Sequence, residues 1–336
     1  MAANPHNSRV IFARSDETKT VVEEYIDFQE GSLEDRQVGY KSMICNFYDL
    51  VTNFYEFAWG QSFHFAPRNK GESFKDSLLR HQRFLGDHLS LKPGFRVIDL
   101  GCGVGGPLRN IARWYESDFV GLNLHSKQIE RAKVINKTNK NTSFITADFM
   151  NVPEEDESFD AAYSIEAMCH APDKIAAFRE VWRILKPGSF FGGYDWCINE
   201  NFDPANEEHM QIKKNIMLGN ALPDIASTTE VSNALKEAGF ELIKAEDVAY
   251  NSHPNFPWSR ALQGARPTLG SLPRTPIGRA LTNAFLRVTE RIGMVPKGAR
   301  NVSNFLNTTA DALVRGGETD VFTPMFFFLA RKPEST

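Results

Sequence analysis

Short apolar runs alternate with stretches of helical period from Phe95 onward, and that alternation predicts the architecture before any single residue's chemistry is considered. "RVIDL" reads as a buried parallel strand; a glycine turn follows, and Leu108, Ile111, Ala112 and Tyr115 then recur at helical spacing. "DFVGLNL" is a second strand, "KQIERAKVINK" a helix, "TSFITADFM" a third strand and "FDAAYSIEA" a fourth. "DKIAAFREVWRIL" is expected to bury Ile175, Phe178, Trp182 and Leu185 on one face and to stop at Lys186-Pro187-Gly188, after which "SFFGGYDW" is a fifth strand. "ELIKAEDVAY" and "VFTPMFFFLARK" supply two more, the last read as a buried strand rather than a lipid-facing patch. Strands alternating with helices of this length predict an α/β fold, a doubly wound and mostly parallel seven-stranded sheet.

Two segments fall outside that sheet. Residues 1–86 read as a mostly helical N-terminal cap ending in "YEFAWGQSFHF", Tyr55 to Phe65, in which neither a helix period nor a strand alternation organises the rings. Residues 87–250 form the core. Residues 251–336 begin with a Pro/Gly-rich connector and continue with an amphipathic helix marked by Ile277, Leu281, Phe285, Val288 and Ile292. A further helix from about Val302 to Val314 is expected to end at Gly316-Gly317, and the final strand follows. An insertion of this size before the last strand predicts a lid over a substrate.

Composition narrows the partners without naming one. The 336 residues carry 38 Lys plus Arg against 42 Asp plus Glu, a formal charge of −4, with no basic tract to suggest nucleic acid. Cys45, Cys102, Cys169 and Cys197 lie far apart without metal-ligand spacing, which points to free thiols in a reducing compartment and to no metal site. "MAANPHNSRVIFARSDETK" lacks an apolar signal core, and no stretch reaches the roughly 18 apolar residues of a membrane span, so membrane contact is expected to be peripheral.

The chemistry begins at "DLGCGVGG". A strand ending in Gly101, Gly103 and Gly105 lets backbone approach a ligand at the carboxyl edge of the sheet. A dinucleotide site would want an acid about 20 positions on to hold a ribose. Asn123 stands there instead. The acid that is present, Asp99, precedes the glycines, where it can face a cationic amino group; Asp148 is placed to accept from an adenine amino group, with Phe149 beside the ring. This set suits S-adenosylmethionine better than a nicotinamide dinucleotide, while glycines serving only a structural turn stay open.

The stretches "YEFAWGQSFHFAPR", "VIDLGCGVGGP", "GLNLHSKQIERA", "ADFM", "SIEAMCHAPD" and "FTPMFFFLARKP" together resemble the sterol 24-C-methyltransferases, over most of the chain. The glycine turn is shared by many methyltransferases, whereas the first, fifth and last stretches are particular to this family's pattern. The resemblance implies a Rossmann-like methyltransferase core, S-adenosylmethionine as donor with S-adenosylhomocysteine as product, and a sterol carrying a side-chain double bond as acceptor. It implies Asp99, Gly101, Gly103 and Gly105 at the methionine end, Asn123 and Gln128 toward the ribose, and Asp148 with Phe149 at the adenine. A homo-oligomer, peripheral on the cytosolic face of the endoplasmic reticulum or on lipid droplets, is implied as well. A methyltransferase of another lipid or prenyl chain would share the glycine turn but not the opening and closing stretches.

The implied reaction gives the aromatic stretch a chemical role, beside the plainer reading in which its rings only anchor a helical cap to the core. An alkene needs no base before attack, but methyl transfer to carbon 24 leaves a cation at carbon 25 that water would quench. Aromatic faces stabilise a desolvated cation by roughly 0.5 to 2 kcal/mol each. Tyr55, Phe57, Trp59, Phe63 and Phe65 can supply such a wall. After a hydride shift one proton must leave, and Glu56, His64, Glu166 and His170 are the candidate bases, Glu166 first, because a carboxylate in an apolar pocket has a raised pKa. Phe57 and Ala58 stand where the family commonly has tyrosine and glycine, Asp195 where glutamate is usual, and Ala221 where glycine is usual.

Overall fold

The computed structural model describes residues 31–263, 276–292 and 299–334. Among the described residues three helices precede the sheet, α1 (Leu33–Val38), α2 (Tyr40–Trp59) and α3 (Phe74–His88). The core then alternates: β1 (Arg96–Leu100), α4 (Gly106–Ile111), β2 (Asp118–Asn123), α5 (Ser126–Asn136), β3 (Thr142–Thr146), β4 (Phe159–Ile165), α6 (Lys174–Ile184) and β5 (Leu185–Ile198). Next come α7 (Glu207–Asn220), α8 (Thr228–Glu237), β6 (Glu241–Asp247), α9 (Pro276–Arg291), α10 (Ala299–Glu318) and β7 (Phe322–Arg331). The seven strands lie in the order β3-β2-β1-β4-β5-β7-β6, parallel except for β7, which runs antiparallel to both neighbours. The order in which strands are added reverses between the parallel neighbours β1 and β4, which opens a crevice at their carboxyl ends.

Local chemistry sets the element ends. Ser32 with Asp35, and Ser227 with Glu230, form capping boxes, while Ser73 and Asp173 accept from the third backbone N–H of their helices. β1 and β7 are buried almost throughout because the sheet is covered on both faces.

Four elements depart from the sequence reading. The ring-rich stretch is helical up to Trp59 and only then becomes an irregular loop, since α2 carries Tyr40, Ile44, Phe47 and Val51 along one buried row. α4 stops at Ile111, short of the predicted face. On α6 the buried face is Ala177, Phe178, Val181 and Ile184; Trp182 is 36% exposed with the Lys332 ammonium 3.9 Å from its ring centre, and Leu185 already belongs to β5. α10 runs through Gly316 and Gly317 to Glu318, where glycine serves close packing: a Cβ on Gly317 would lie 2.9 Å from the Trp258 ring.

The cap closes the crevice. Tyr40, Met43, Ile44, Phe47 and Val51 pack with Ala221 and, at the margin, with Phe305 and Leu306 of α10, so α2 bridges the core to the insertion. Among the described residues no helix is long and apolar enough to cross a membrane, and all four cysteines are free.

Candidate active site

The glycine turn forms because three residues adopt positive φ, Gly101 at 89°, Gly103 at 53° and Gly105 at 76°. A Cβ on Gly101 would lie 2.2 Å from that of Ala167, and one on Gly106 would lie 1.7 Å from the Gln61 carbonyl oxygen. The cap loop therefore sits directly on the turn. Around it opens a cleft of about 840 Å³, lined by Asp99, Gly101, Gly103, Asn123, Gln128, Asp148 and Phe149 from the core and by Tyr40, Ile44, Tyr48 and Gln61 from the cap.

The polar lining is ordered across that boundary. Asn123 Nδ2 donates to Gln128 Oε1 at 2.8 Å, and Gln128 Nε2 donates to Thr52 Oγ1 of α2 at 3.0 Å. Asp148 accepts from the Met150 backbone N–H at 2.9 Å and from the Tyr40 hydroxyl, and pairs with the Lys41 ammonium at 2.8 Å. Burial raises the Asp99 carboxyl to about 7, with Tyr163 opposing the rise. A cationic ligand beside Asp99 would relieve that cost. Bare backbone at the turn, a buried carboxylate that favours a cation and an apolar floor including Phe149 together fit S-adenosylmethionine.

A second, more apolar cavity of about 730 Å³ adjoins the first. Phe47, Tyr48, Phe63, Phe65, Trp196 and Leu222 line it, and Leu262, Ala310 and Leu313 close its far side. Phe65 meets Trp258 edge to face at 4.9 Å and Trp196 at 6.0 Å between ring centres. Tyr48, Phe63, His64, Glu166 and His170 line both spaces and mark where they join.

Glu166 stands at that junction, one residue past β4, with φ at 53°. A side chain held in the left-handed region costs about 1 kcal/mol or more and is kept only where its surroundings impose it. Here its N–H donates to the Tyr194 carbonyl at 2.8 Å. Oε1 accepts from the Phe65 backbone N–H at 2.7 Å and Oε2 from Trp196 Nε1–H at 2.8 Å. Burial nevertheless pushes its carboxyl up to about 8, with the two donors pulling it back.

The two histidines are neutral and tied to backbone. Asn110 donates to Gln82 Oε1 at 2.9 Å, which turns the Gln82 amide so that its Nε2 donates to His64 Nε2 at 2.8 Å. His64 Nδ1–H then donates to the Phe65 carbonyl at 2.7 Å. His170 Nδ1–H donates to the Ala221 carbonyl at 3.0 Å, and its Nε2 accepts from Tyr48 at 3.3 Å. Burial holds each imidazole near 4. Cys169 is buried with its thiol raised by that burial, and among the described residues no His/Cys/Asp/Glu cluster suits a metal.

The structure brings Glu166, His64, His170, Phe63 and Phe65 together with the glycine turn. It does not bring Glu56, whose carboxylate pairs with Arg131 at 3.0 Å and lines a separate open groove. Glu56 lies five residues beyond the buried Val51, roughly 140° further round the helix, and so faces outward. Tyr55, Phe57 and Trp59 sit in the last turns of α2, but their side chains lie outside the described residues. Sequence reasoning missed Tyr40, Tyr48 and Trp196. The first two follow from the α2 periodicity through Ile44 and Val51, and Trp196 from its place beyond "GYD" at the carboxyl edge of β5.

Comparison with known proteins agrees with this geometry. Residues 98–192 match the methyltransferase domain model and residues 270–334 the sterol methyltransferase C-terminal model. The cycloartenol-C-24-methyltransferase of Arabidopsis thaliana is 47% identical over 93% of each chain. The sterol 24-C-methyltransferase of Saccharomyces cerevisiae is 39% identical over 92% of this chain and 82% of its own. Among solved structures, mycolic acid cyclopropane synthase complexed with SAH and CTAB superposes with a TM-score of 0.68 at 15% identity, over 87% of this chain and 98% of that one, a likeness of fold. With the glycine turn, the adjoining apolar cavity and relatives this similar over almost its whole length, the chain belongs to the sterol 24-C-methyltransferase family.

Proposed function

We propose that this enzyme methylates carbon 24 of a sterol side chain at its double bond, and that Glu166 takes the proton that leaves at the end. S-adenosylmethionine, when bound, would supply a methyl group electrophilic enough for an alkene to attack, the methyl–sulfur bond breaking with its electron pair left on sulfur so that S-adenosylhomocysteine departs. Asp99 and the Gly101–Gly105 turn would hold its methionine end, Asn123 and Gln128 its ribose, and Asp148 with Phe149 its adenine. The observation that carries the reading is the position of Glu166, the one carboxylate among the described residues that lines both the polar cleft and the apolar cavity.

The chain's own residues divide the remaining work. Phe63, Phe65, Tyr48 and Trp196 exclude water from the carbon that becomes cationic and offer it ring faces. As the alkene pair forms the new bond to carbon 24, charge develops at carbon 25, and hydride migration returns it to carbon 24. A carbon–hydrogen bond of the added methyl then breaks, its electrons form the new double bond and the proton passes to a Glu166 oxygen. A nearby cation favours ionised Glu166, so a carboxyl near 8 in the free protein becomes a competent base when the site is charged. Both histidines spend both ring nitrogens on fixed partners, which favours positioning roles for them.

The same reading carries a peripheral station on the cytosolic face of the endoplasmic reticulum or on lipid droplets, supported by the substrate's solubility in lipid, and a homo-oligomer, supported by the family resemblance alone. Transfer of labelled methyl from S-adenosylmethionine to sterols with and without the side-chain double bond tests the reaction. Label is expected only on the unsaturated sterols, and the methylene product is expected to vanish in Glu166→Gln with S-adenosylhomocysteine binding retained. Label on a saturated side chain, or full turnover in the variant, would overturn the assignment.

A further inference from the structure

Helix α9 leaves an apolar row uncovered. Phe285, Val288 and Ile292 recur at helical spacing and are 62%, 58% and 62% exposed, while Thr289 on the adjoining side is buried. Arg287 and Arg291 are exposed beside that row. From Pro276 to Arg300 the sequence holds Arg279, Arg287, Arg291, Lys297 and Arg300 against a single acid, Glu290, in a chain whose net charge is −4. Among the described residues, Arg287 and Arg291 put positive charge beside the bare row. α9 packs on α10, whose Ala310 and Leu313 line the apolar cavity. The row therefore lies on the outer side of the layer whose inner side walls that cavity.

We propose that this face of α9 docks the enzyme on an anionic phospholipid surface. A helix that presents Phe and aliphatic side chains between basic residues buries the apolar row at the acyl boundary while the guanidinium groups meet lipid phosphates. A second copy of the chain is a poorer occupant, because two-fold pairing of this face would set Arg287 and Arg291 against their own duplicates. Docking here places the cavity wall against the phase in which a sterol is dissolved. In that sense it rests on the sterol reading, but its test does not require turnover.

The test is co-sedimentation of the full chain with phosphatidylcholine vesicles, with and without phosphatidylserine. Binding is expected to the anionic vesicles, weakening with added salt, and to fall by about tenfold or more when Arg287→Glu is combined with Arg291→Glu. Phe285→Asp combined with Val288→Asp is expected to abolish it. Methyl transfer to detergent-dispersed sterol should stay unchanged in both variants, so failure of docking is separable from failure of the catalytic reading. No binding by the unaltered chain, equal binding to neutral vesicles, or binding unmoved by either variant would overturn the proposal. So would a dimer that the Asp variant converts to monomer while leaving vesicle binding intact.

Discussion

Glu166→Gln should make the folded protein more stable at neutral pH while it abolishes turnover. In the unfolded chain this carboxyl ionises near 4.5, and in the folded chain burial lifts it to about 8. Between those values the folded state holds a proton that the unfolded state has released, so its contribution makes stability fall as pH rises, by about 1.4 kcal/mol per pH unit. Glutamine cannot titrate. The stability difference, variant minus parent, should therefore climb from about pH 5 to about pH 8, with a ceiling of about 4 to 5 kcal/mol over the window. Against this, the amide NH₂ must face either the Phe65 N–H or the Trp196 Nε1–H, a pH-independent cost of about 1 to 2 kcal/mol. At pH 7 the variant should come out about 1 to 2 kcal/mol more stable. His64 and His170, held near 4, and Asp99, raised to about 7, titrate in both proteins and cancel in the difference. Urea unfolding at about pH 5.5, 6.5 and 7.5 measures it. A difference that stays flat across the three would refute the raised carboxyl, and with it the argument for Glu166 as the base.

Trp196→Phe removes one of the two donors to Glu166 and should move the acid limb of the kcat profile upward by up to about one pH unit, read from single-turnover rates. Ala221 holds φ at 54° where its family commonly has glycine, so Ala221→Gly should gain about 0.5 to 1 kcal/mol, seen as a rise of a few degrees in Tm, with the His170 contact to its carbonyl kept and activity unchanged. Gly106→Ala puts a methyl on the Gln61 carbonyl and should lift the cap loop, weakening S-adenosylhomocysteine by about tenfold or more in calorimetry; retained affinity would show that the loop can be displaced without disturbing the cleft.

The fold was legible because the inner strands are buried on both faces and separated by glycine turns, which leaves apolar runs that a sheet covered on both faces explains. Element ends were less legible, for reasons particular to each. Trp182 sits on a helical period that predicts burial, yet it is 36% exposed and its ring meets the Lys332 ammonium, a contact made across the chain that no local pattern encodes. Gly316 and Gly317 read as a stop because paired glycines usually end a helix, whereas here they admit Phe322 and Trp258 against the α10 backbone. That approach depends on where β7 and the 258–261 turn arrive, and so is invisible before the fold is known.

The site divides along the same line. Asp99, the glycines, Asn123 and Asp148 could be placed near one another from the sequence because each lies at or just past the carboxyl end of a strand, and strand ends fix position to within a residue or two. The bases were readable only as a set of four, since sequence gives a residue's identity but not its facing. Glu56 and Glu166 illustrate the difference: both lie in stretches particular to the family, both are carboxylates beside aromatic rings, and either could serve the same chemistry on paper. A helix turn carries the first out to Arg131, while a left-handed backbone residue, fixed by a hydrogen bond to Tyr194, carries the second in to two N–H donors. What separates a surface ion pair from a buried base is thus backbone direction at one residue. Replacing Glu56 should accordingly alter a partly exposed contact worth at most about 1 kcal/mol, leaving the pH profile of turnover where it was, and a shifted profile in Glu56→Gln would return that carboxylate to the mechanism.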